Sequence, residues 1–351
     1  MSIKGKLIKG AIGATAVWAG AGYGVVNYVF SKMFAHWTPE KYTCRIRYNE
    51  VEKDYPRKSM YFYSGSNRLQ AYVYGENNTK GLIVFSHGIF ACHEDYLGTV
   101  IEFVDRGWRV FAFDNTGTGE SEGKDSVGLV QGPLDLHAAL CFVESNPEFA
   151  GMKKFLLGHS QGGYSVCAVL NFDHKIDGVV SLAGFTTPID VSIEMGHSMY
   201  GKAIDAAIPM MKLELSKRFG IYSNLSAVEG INRYKGPVLI MHGDADTYVR
   251  YDGVGLINHQ QEIKNPDAVF SAVKGETCTH VGLFHSPESW KYQEAVELKL
   301  SALRGIYNVK ENRDIPENEL QKLFAEVDKK VANIPNKPMY DEINEFLLGL
   351  L

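Results

Sequence analysis

In the stretch FLLGHSQGGYS, Phe155 to Ser165, Ser160 stands between Gly158 and Gly162, behind bulky apolar residues and ahead of small ones. A serine hydroxyl is a poor nucleophile near neutral pH. It acts only beside a base, which in turn needs a carboxylate to orient it. The G-x-S-x-G spacing places Ser160 where a strand turns straight into a helix. The turn is so sharp that the residues two before and two after must be small, and its strain lifts the hydroxyl clear of the sheet edge. Downstream, MHGDADTYV offers the carboxylates Asp244 and Asp246, and KGETCTHVGLF offers His280, with His285 close behind. His159 adjoins the serine, but a neighbouring residue points away from it and is a poor base. Acyl transfer also needs hydrogen-bond donors for the oxyanion. The backbone N–H of Gln161, at the helix start, is one. A second is expected from the loop that follows the apolar run ending near Ser86.

The elements around these residues alternate. Residues 59–75 predict a β-hairpin turning at Ser64–Asn67. Short continuous apolar runs at 81–88, 108–114, 153–158, 176–184 and 236–243 predict strands buried on both faces, with 267–275 as the last. Residues 95–107, 132–146 and the stretch after Ser160 have helical spacing. Strand–helix alternation of this kind predicts an α/β protein with a mainly parallel, doubly wound sheet. Residues 185–235 break the rhythm. Their Met195, Met199, Tyr200, Ile208, Met210 and Met211 suggest helices lying over the sheet as a cap. Residues 35–55 read as a polar linker, and 310–351 as a charged helical tail ending in FLLGLL.

The elbow at Ser160 resembles the nucleophile elbow of the α/β-hydrolase superfamily, and three further motifs follow that superfamily's chain order. SHGIF is similar to its His-Gly-x turn, which implies Ile89 as the second oxyanion donor with Phe90 as its neighbour. Asp246 matches the family's acid, with Asp244 as the competitor. His280 matches its base, with His285 the weaker candidate. AFDNTGTGESEG, 112 to 123, resembles the Asp-x-x-Gly-x-Gly-x-Ser loop, which implies structural roles for Asp114 and Ser121. That loop is not a dinucleotide fingerprint, because Glu122 stands where G-x-G-x-x-G needs glycine. The resemblance covers about residues 58–305. HGIFACHEDY and GHSQGGYS are most similar to the serine-aminopeptidase-like, feruloyl-esterase-like and monoglyceride-lipase-like group, and Asn115–Thr116 departs from its usual Arg-Gly.

Composition bounds the rest. The chain has 351 residues, 45% of them hydrophobic, and a net charge of −5 that gives no general basic character for nucleic acid. Cys44, Cys92, Cys141, Cys167 and Cys278 form no CxxC pair, and a disulfide framework is not expected. The uncharged stretch from Gly10 to Ser31 follows Lys4, Lys6 and Lys9 and has the length of a membrane span. It predicts that residues 1–34 form a membrane anchor, with a cleaved signal and a packed helix as the other readings.

The expectation is therefore a serine hydrolase of carboxylic esters in residues 58–305, capped at 185–235 and extended by 306–351, using Ser160, His280 and Asp246. It needs no cofactor or metal, takes a small-molecule ester (a lipid or an acyl or aryl ester among them), binds no nucleic acid, and sits at a membrane through residues 10–31 or is secreted if that stretch is cleaved. A peptidase acting on short peptides is the first alternative, and Glu194, Asp205 or Glu214 in the cap would then hold the peptide's amino group. A non-catalytic binding protein of the same fold is the second.

Overall fold

The computed structural model describes Gly22 and residues 24–351. Eight strands make one sheet. They are β1 (Arg57–Ser64), β2 (Asn67–Tyr74), β3 (Leu82–Ser86), β4 (Arg109–Phe113), β5 (Lys154–His159), β6 (Gly178–Leu182), β7 (Val238–Gly243) and β8 (Ala268–Val273). Their spatial order is β1-β2-β4-β3-β5-β6-β7-β8. β1 and β2 form the antiparallel hairpin, and β2 runs antiparallel to β4. All pairs from β4 to β8 are parallel. The mainly parallel, doubly wound sheet expected from the apolar runs is thus present.

Each inner strand is apolar on both sides because both faces are covered. Alternate residues feed two cores. Val84, Phe111, Leu156, Val179 and Ile240 pack with the helices Gln131–Ser145 and Gln161–Ala168 and with the cap. Phe85, Val110, Leu157, Val180 and Met241 pack on the other face with Leu97, Val100 and Phe103 of the helix Leu97–Asp105. That second face is completed by the helix Lys337–Leu348, whose Met339, Tyr340, Ile343 and Leu347 are buried against it. The segment read from its charges as a tail therefore carries an apolar stripe at helical spacing. Tyr340 Oη shares a hydrogen bond with Thr99 Oγ1 at 2.8 Å, and Asn344 Oδ1 accepts from Trp108 Nε1 at 2.8 Å.

The segment read as a cap holds the helices Pro188–Tyr200, Ile208–Phe219 and Ala227–Arg233 with short 3₁₀ turns between them. Of the apolar cap residues singled out in the sequence, Met210 and Met211 are buried, while Met199 and Tyr200 are exposed.

The stretch from Gly10 to Ser31 lies largely outside the described residues. Its described part is helical over residues 24–33. Val26 and Phe30, with Phe34 just beyond, are buried in the core that includes Met210, Met211, Leu215 and Phe219. Asn27 Nδ2 donates to Glu214 Oε1 at 2.9 Å. Among the described residues no helix is long and apolar enough to cross a membrane. The membrane-span reading is corrected to that extent. An unbroken apolar run looks the same whether lipid or protein covers it, and here one face of its second half is covered by the cap.

Candidate active site

β3, β5, β7 and β8 are parallel, so the loops leaving them open on one edge of the sheet, where ligands bind in open α/β sheets. Ser160 follows β5 directly, with φ 58° and ψ −118°. This left-handed, strained conformation persists because its surroundings fix it. A side chain on Gly158 would collide with the Gly162 carbonyl, and one on Gly162 with the Ser86 carbonyl. Two of the motif's glycines thus let three pieces of backbone close on one another beneath the serine.

Ser160, His280 and Asp246 come together. Ser160 Oγ and His280 Nε2 are 2.9 Å apart, and His280 Nδ1 lies 2.7 Å from Asp246 Oδ2. The Asp246 carboxylate is buried and accepts from Tyr248 N at 2.8 Å and Val249 N at 3.0 Å through Oδ1. His242 Nε2 lies 3.1 Å from Oδ2. Burial alone would push this carboxyl up, but the hydrogen bonds from His242 and His280 and the charge they carry when protonated hold it well below the usual carboxylate range. Asp246 is therefore an anion throughout the neutral range. Asp244 is exposed and accepts from Gly275 N at 3.0 Å, a turn contact away from His280. His285 is likewise not in the constellation. It lies against Trp290, Ser289 and Gln293 of the helix Pro287–Tyr307.

The turn after β3 lies against the serine, since a Cβ on Gly88 would come 3.3 Å from Ser160 Cβ. Phe90 in this turn has φ 54°. Gln161 is the first residue of its helix, so its N–H has no carbonyl one turn earlier to bond. Ile89 and Gln161 thus sit on the two segments that meet at Ser160.

Five residues outside the expected triad and oxyanion donors brace this arrangement. His87 accepts from Asn115 N at Nε2, at 3.0 Å, so its Nδ1–H donates to Gly88 O at 2.7 Å. Tyr96 Oη accepts from Gly88 N at 3.2 Å and donates to His159 Nδ1 at 2.8 Å. His159 Nε2 then donates to His280 O at 2.8 Å. A hydrogen-bonded chain thus runs from the turn carrying Ile89 to the loop carrying His280, passing under Ser160. Burial, with the neighbouring His280, keeps the His159 imidazole neutral, well below its usual pKa. Its position beneath the elbow is that expected of a residue pointing away from the serine. His242 braces the acid, and Tyr248 covers His280 at 5.0 Å between ring centroids. A signal existed for two of them, because a His-Gly pair follows β3 at His87–Gly88 and ends β7 at His242–Gly243. Nothing in the sequence joins Tyr96 to His159.

Asp114 is buried and accepts from His93 N at 2.8 Å and His93 Nδ1 at 2.7 Å, while Ser121 Oγ accepts from Gln70 N at 2.8 Å. Asp114 thus ties the 112–123 loop to the 3₁₀ turn His93–Tyr96 and Ser121 ties it to the hairpin, and neither is part of the Ser160–His280–Asp246 line.

A doubly wound parallel sheet with a serine on a strained strand-to-helix elbow defines the class of fold: this chain has the α/β-hydrolase fold. Residues 77–229 match the family described as serine aminopeptidase, S33. Among solved structures, the esterase Pf2001 of Pyrococcus furiosus aligns over 76% of this chain and 98% of its own, with a TM-score of 0.54 and 18% identity. The α/β hydrolase GrgF from Penicillium sp. sh18 aligns over 71% of this chain and 98% of its own, with a TM-score of 0.50 and 16% identity. At these identities the likeness is one of fold. The uncharacterized protein YfhR of Salmonella typhi is 28% identical over 175 residues, 48% of this chain and 55% of that protein. The chain thus spans about half the length of this curated relative.

Proposed function

We propose that the protein is a serine hydrolase of small carboxylic esters. The observation that carries this reading is the continuous hydrogen-bonded line from Ser160 Oγ through His280 to the buried Asp246. In the proposed reaction His280 Nε2 takes the Ser160 proton as Oγ attacks the ester carbonyl. Asp246 holds the imidazole in the tautomer with Nε2 unprotonated and stabilises the imidazolium that forms. The N–H groups of Gln161 and Ile89 receive the oxyanion. His280 returns the proton to the departing alcohol, leaving an acyl group on Ser160. Water then attacks that acyl carbonyl by the same proton relay and frees the acid.

A peptidase reading is favoured by the description of the matching family. The cap weighs the other way. Glu194 accepts from Arg250 N at 3.2 Å and Val254 N at 3.0 Å. Asp205 lies 2.7 Å from His197 Nε2, and Glu214 bonds Asn27 and Arg218. All three of the carboxylates weighed as receivers of a peptide's ammonium group already have hydrogen-bonding partners. The test is labelling with a fluorophosphonate, mapped by mass spectrometry, followed by kcat/KM for nitrophenyl esters against aminoacyl anilides. Labelling at Ser160 with a preference for esters is expected. Preference for anilides bearing a free amine would favour the peptidase, and a wild-type protein inert to the probe would favour a binding role.

A further inference from the structure

A second cluster lies on another part of the surface. His137 and Cys141 are four residues apart on the helix Gln131–Ser145 and so share one of its faces. The segment after the nucleophile helix brings His174 against them. His137 Nδ1 and His174 Nε2 are 2.7 Å apart, and these two atoms and Cys141 Sγ all lie within 4.8 Å of one another. Phe172 stacks on the His137 ring at 4.3 Å between centroids, which fixes the ring plane. His174 Nδ1 lies 3.2 Å from Glu144 Oε2, and Glu144 Oε1 accepts from Lys175 N at 2.8 Å.

We propose that His137, Cys141 and His174 form a zinc-binding site. Two imidazoles and a thiol are the borderline-soft donor set that suits a tetrahedral Zn²⁺. The carboxylate behind His174 is the partner that metal-bound histidines commonly have, because it fixes the ring and directs the other nitrogen's lone pair at the ion. With His174 Nδ1–H donating to Glu144, His174 Nε2 is free to bind. His137 binds through Nδ1 after its proton moves to Nε2, with no net change, and the Cys141 thiol gives up one proton to solvent. Ligand atoms about 2.1 Å from zinc at tetrahedral angles stand about 3.4 Å apart, so the two imidazoles need to open by well under 1 Å. Cys141 is exposed, which gives the ion an entry path and leaves a fourth position for water. Bound there, zinc pins the helix Gln131–Ser145 to the chain that follows the Ser160 helix, as a structural clamp independent of the ester chemistry.

The test is titration of the chelator-stripped full chain with zinc against a chromophoric competitor, together with cobalt substitution. Wild-type protein is expected to bind one equivalent, raise its Tm, and give a thiolate-to-cobalt charge-transfer band. Cys141→Ser should abolish that band and weaken zinc at least tenfold, while turnover of a nitrophenyl ester and the circular dichroism stay as in wild type. Glu144→Gln should weaken zinc 10–100-fold, in the range of such outer partners. Equal zinc affinity in wild type, Cys141→Ser and His137→Ala would overturn the site, as would no binding by wild type at micromolar zinc.

Discussion

Replacing Ser160 by alanine removes one hydroxyl and leaves the elbow's packing untouched, so turnover should fall by about 10⁶ while Tm holds. Residual hydrolysis near wild-type rate in a clean preparation would remove Ser160 from the reaction. Asp246→Asn should lower kcat by about 10⁴, because the amide leaves His280 in the wrong tautomer, whereas Asp244→Asn only trims an exposed turn contact. Comparing the two rates settles which carboxylate orients the base. Tyr96→Phe breaks the chain between Gly88 and His159 without touching Ser160. It should cost roughly tenfold, on the order of one buried hydrogen bond, and the loss should fall on kcat with KM held. A loss confined to KM would place Tyr96 in substrate binding instead. These residues differ in how far the sequence exposed them. Ser160 was legible because its backbone strain forces glycine at fixed spacings. Asp246 and His280 were legible only through their order along the chain. Tyr96 and His159 are 63 positions apart, and no local pattern encodes a contact of that separation.

The strands were readable as elements because burial on both faces leaves continuous apolar runs bounded by turn residues. The two terminal segments were only partly legible, for one physical reason. Their apolar residues report that something covers them, but not what. The stretch from Gly10 to Ser31 read as a membrane span, yet Val26 and Phe30 of its described part, with Phe34 just beyond, lie in the core that includes Met210 and Met211. Phe34→Ala should accordingly cost about 3 kcal/mol of stability, the scale of a buried aromatic lost from a core, measured by urea unfolding. A change below about 0.5 kcal/mol would mean that this segment is not seated on the cap in solution.

The whole molecule carries several imidazoles that stay neutral when folded. Burial holds His87 below its usual pKa, burial with the neighbouring His280 holds His159 well below, and burial pushes His285 down to about 4. The unfolded chain takes up these protons near pH 6.5 and the folded chain only lower. Their contribution is therefore fully present above about 6.5 and is lost as the pH falls. For His285 the window runs from about 6.5 to about 4, with a slope of up to about 1.4 kcal/mol per pH unit. Asp135, whose carboxyl is raised by burial, works in the opposite direction at the acid end. Urea midpoints from pH 7 to 4 should show a shallower loss in His285→Gln than in wild type, and parallel curves would count against the shift. The helix Lys337–Leu348 has a further consequence, in the order of synthesis. It covers Phe103 and Trp108, residues made more than two hundred positions earlier. A nascent chain still on the ribosome can form the elbow and the cap, yet it exposes the part of that face which the helix Leu97–Asp105 leaves open until Leu347 has left the exit tunnel. Through this interval the unfinished protein offers chaperones a broad aromatic surface, and a stop codon placed before residue 337 would make the exposure permanent.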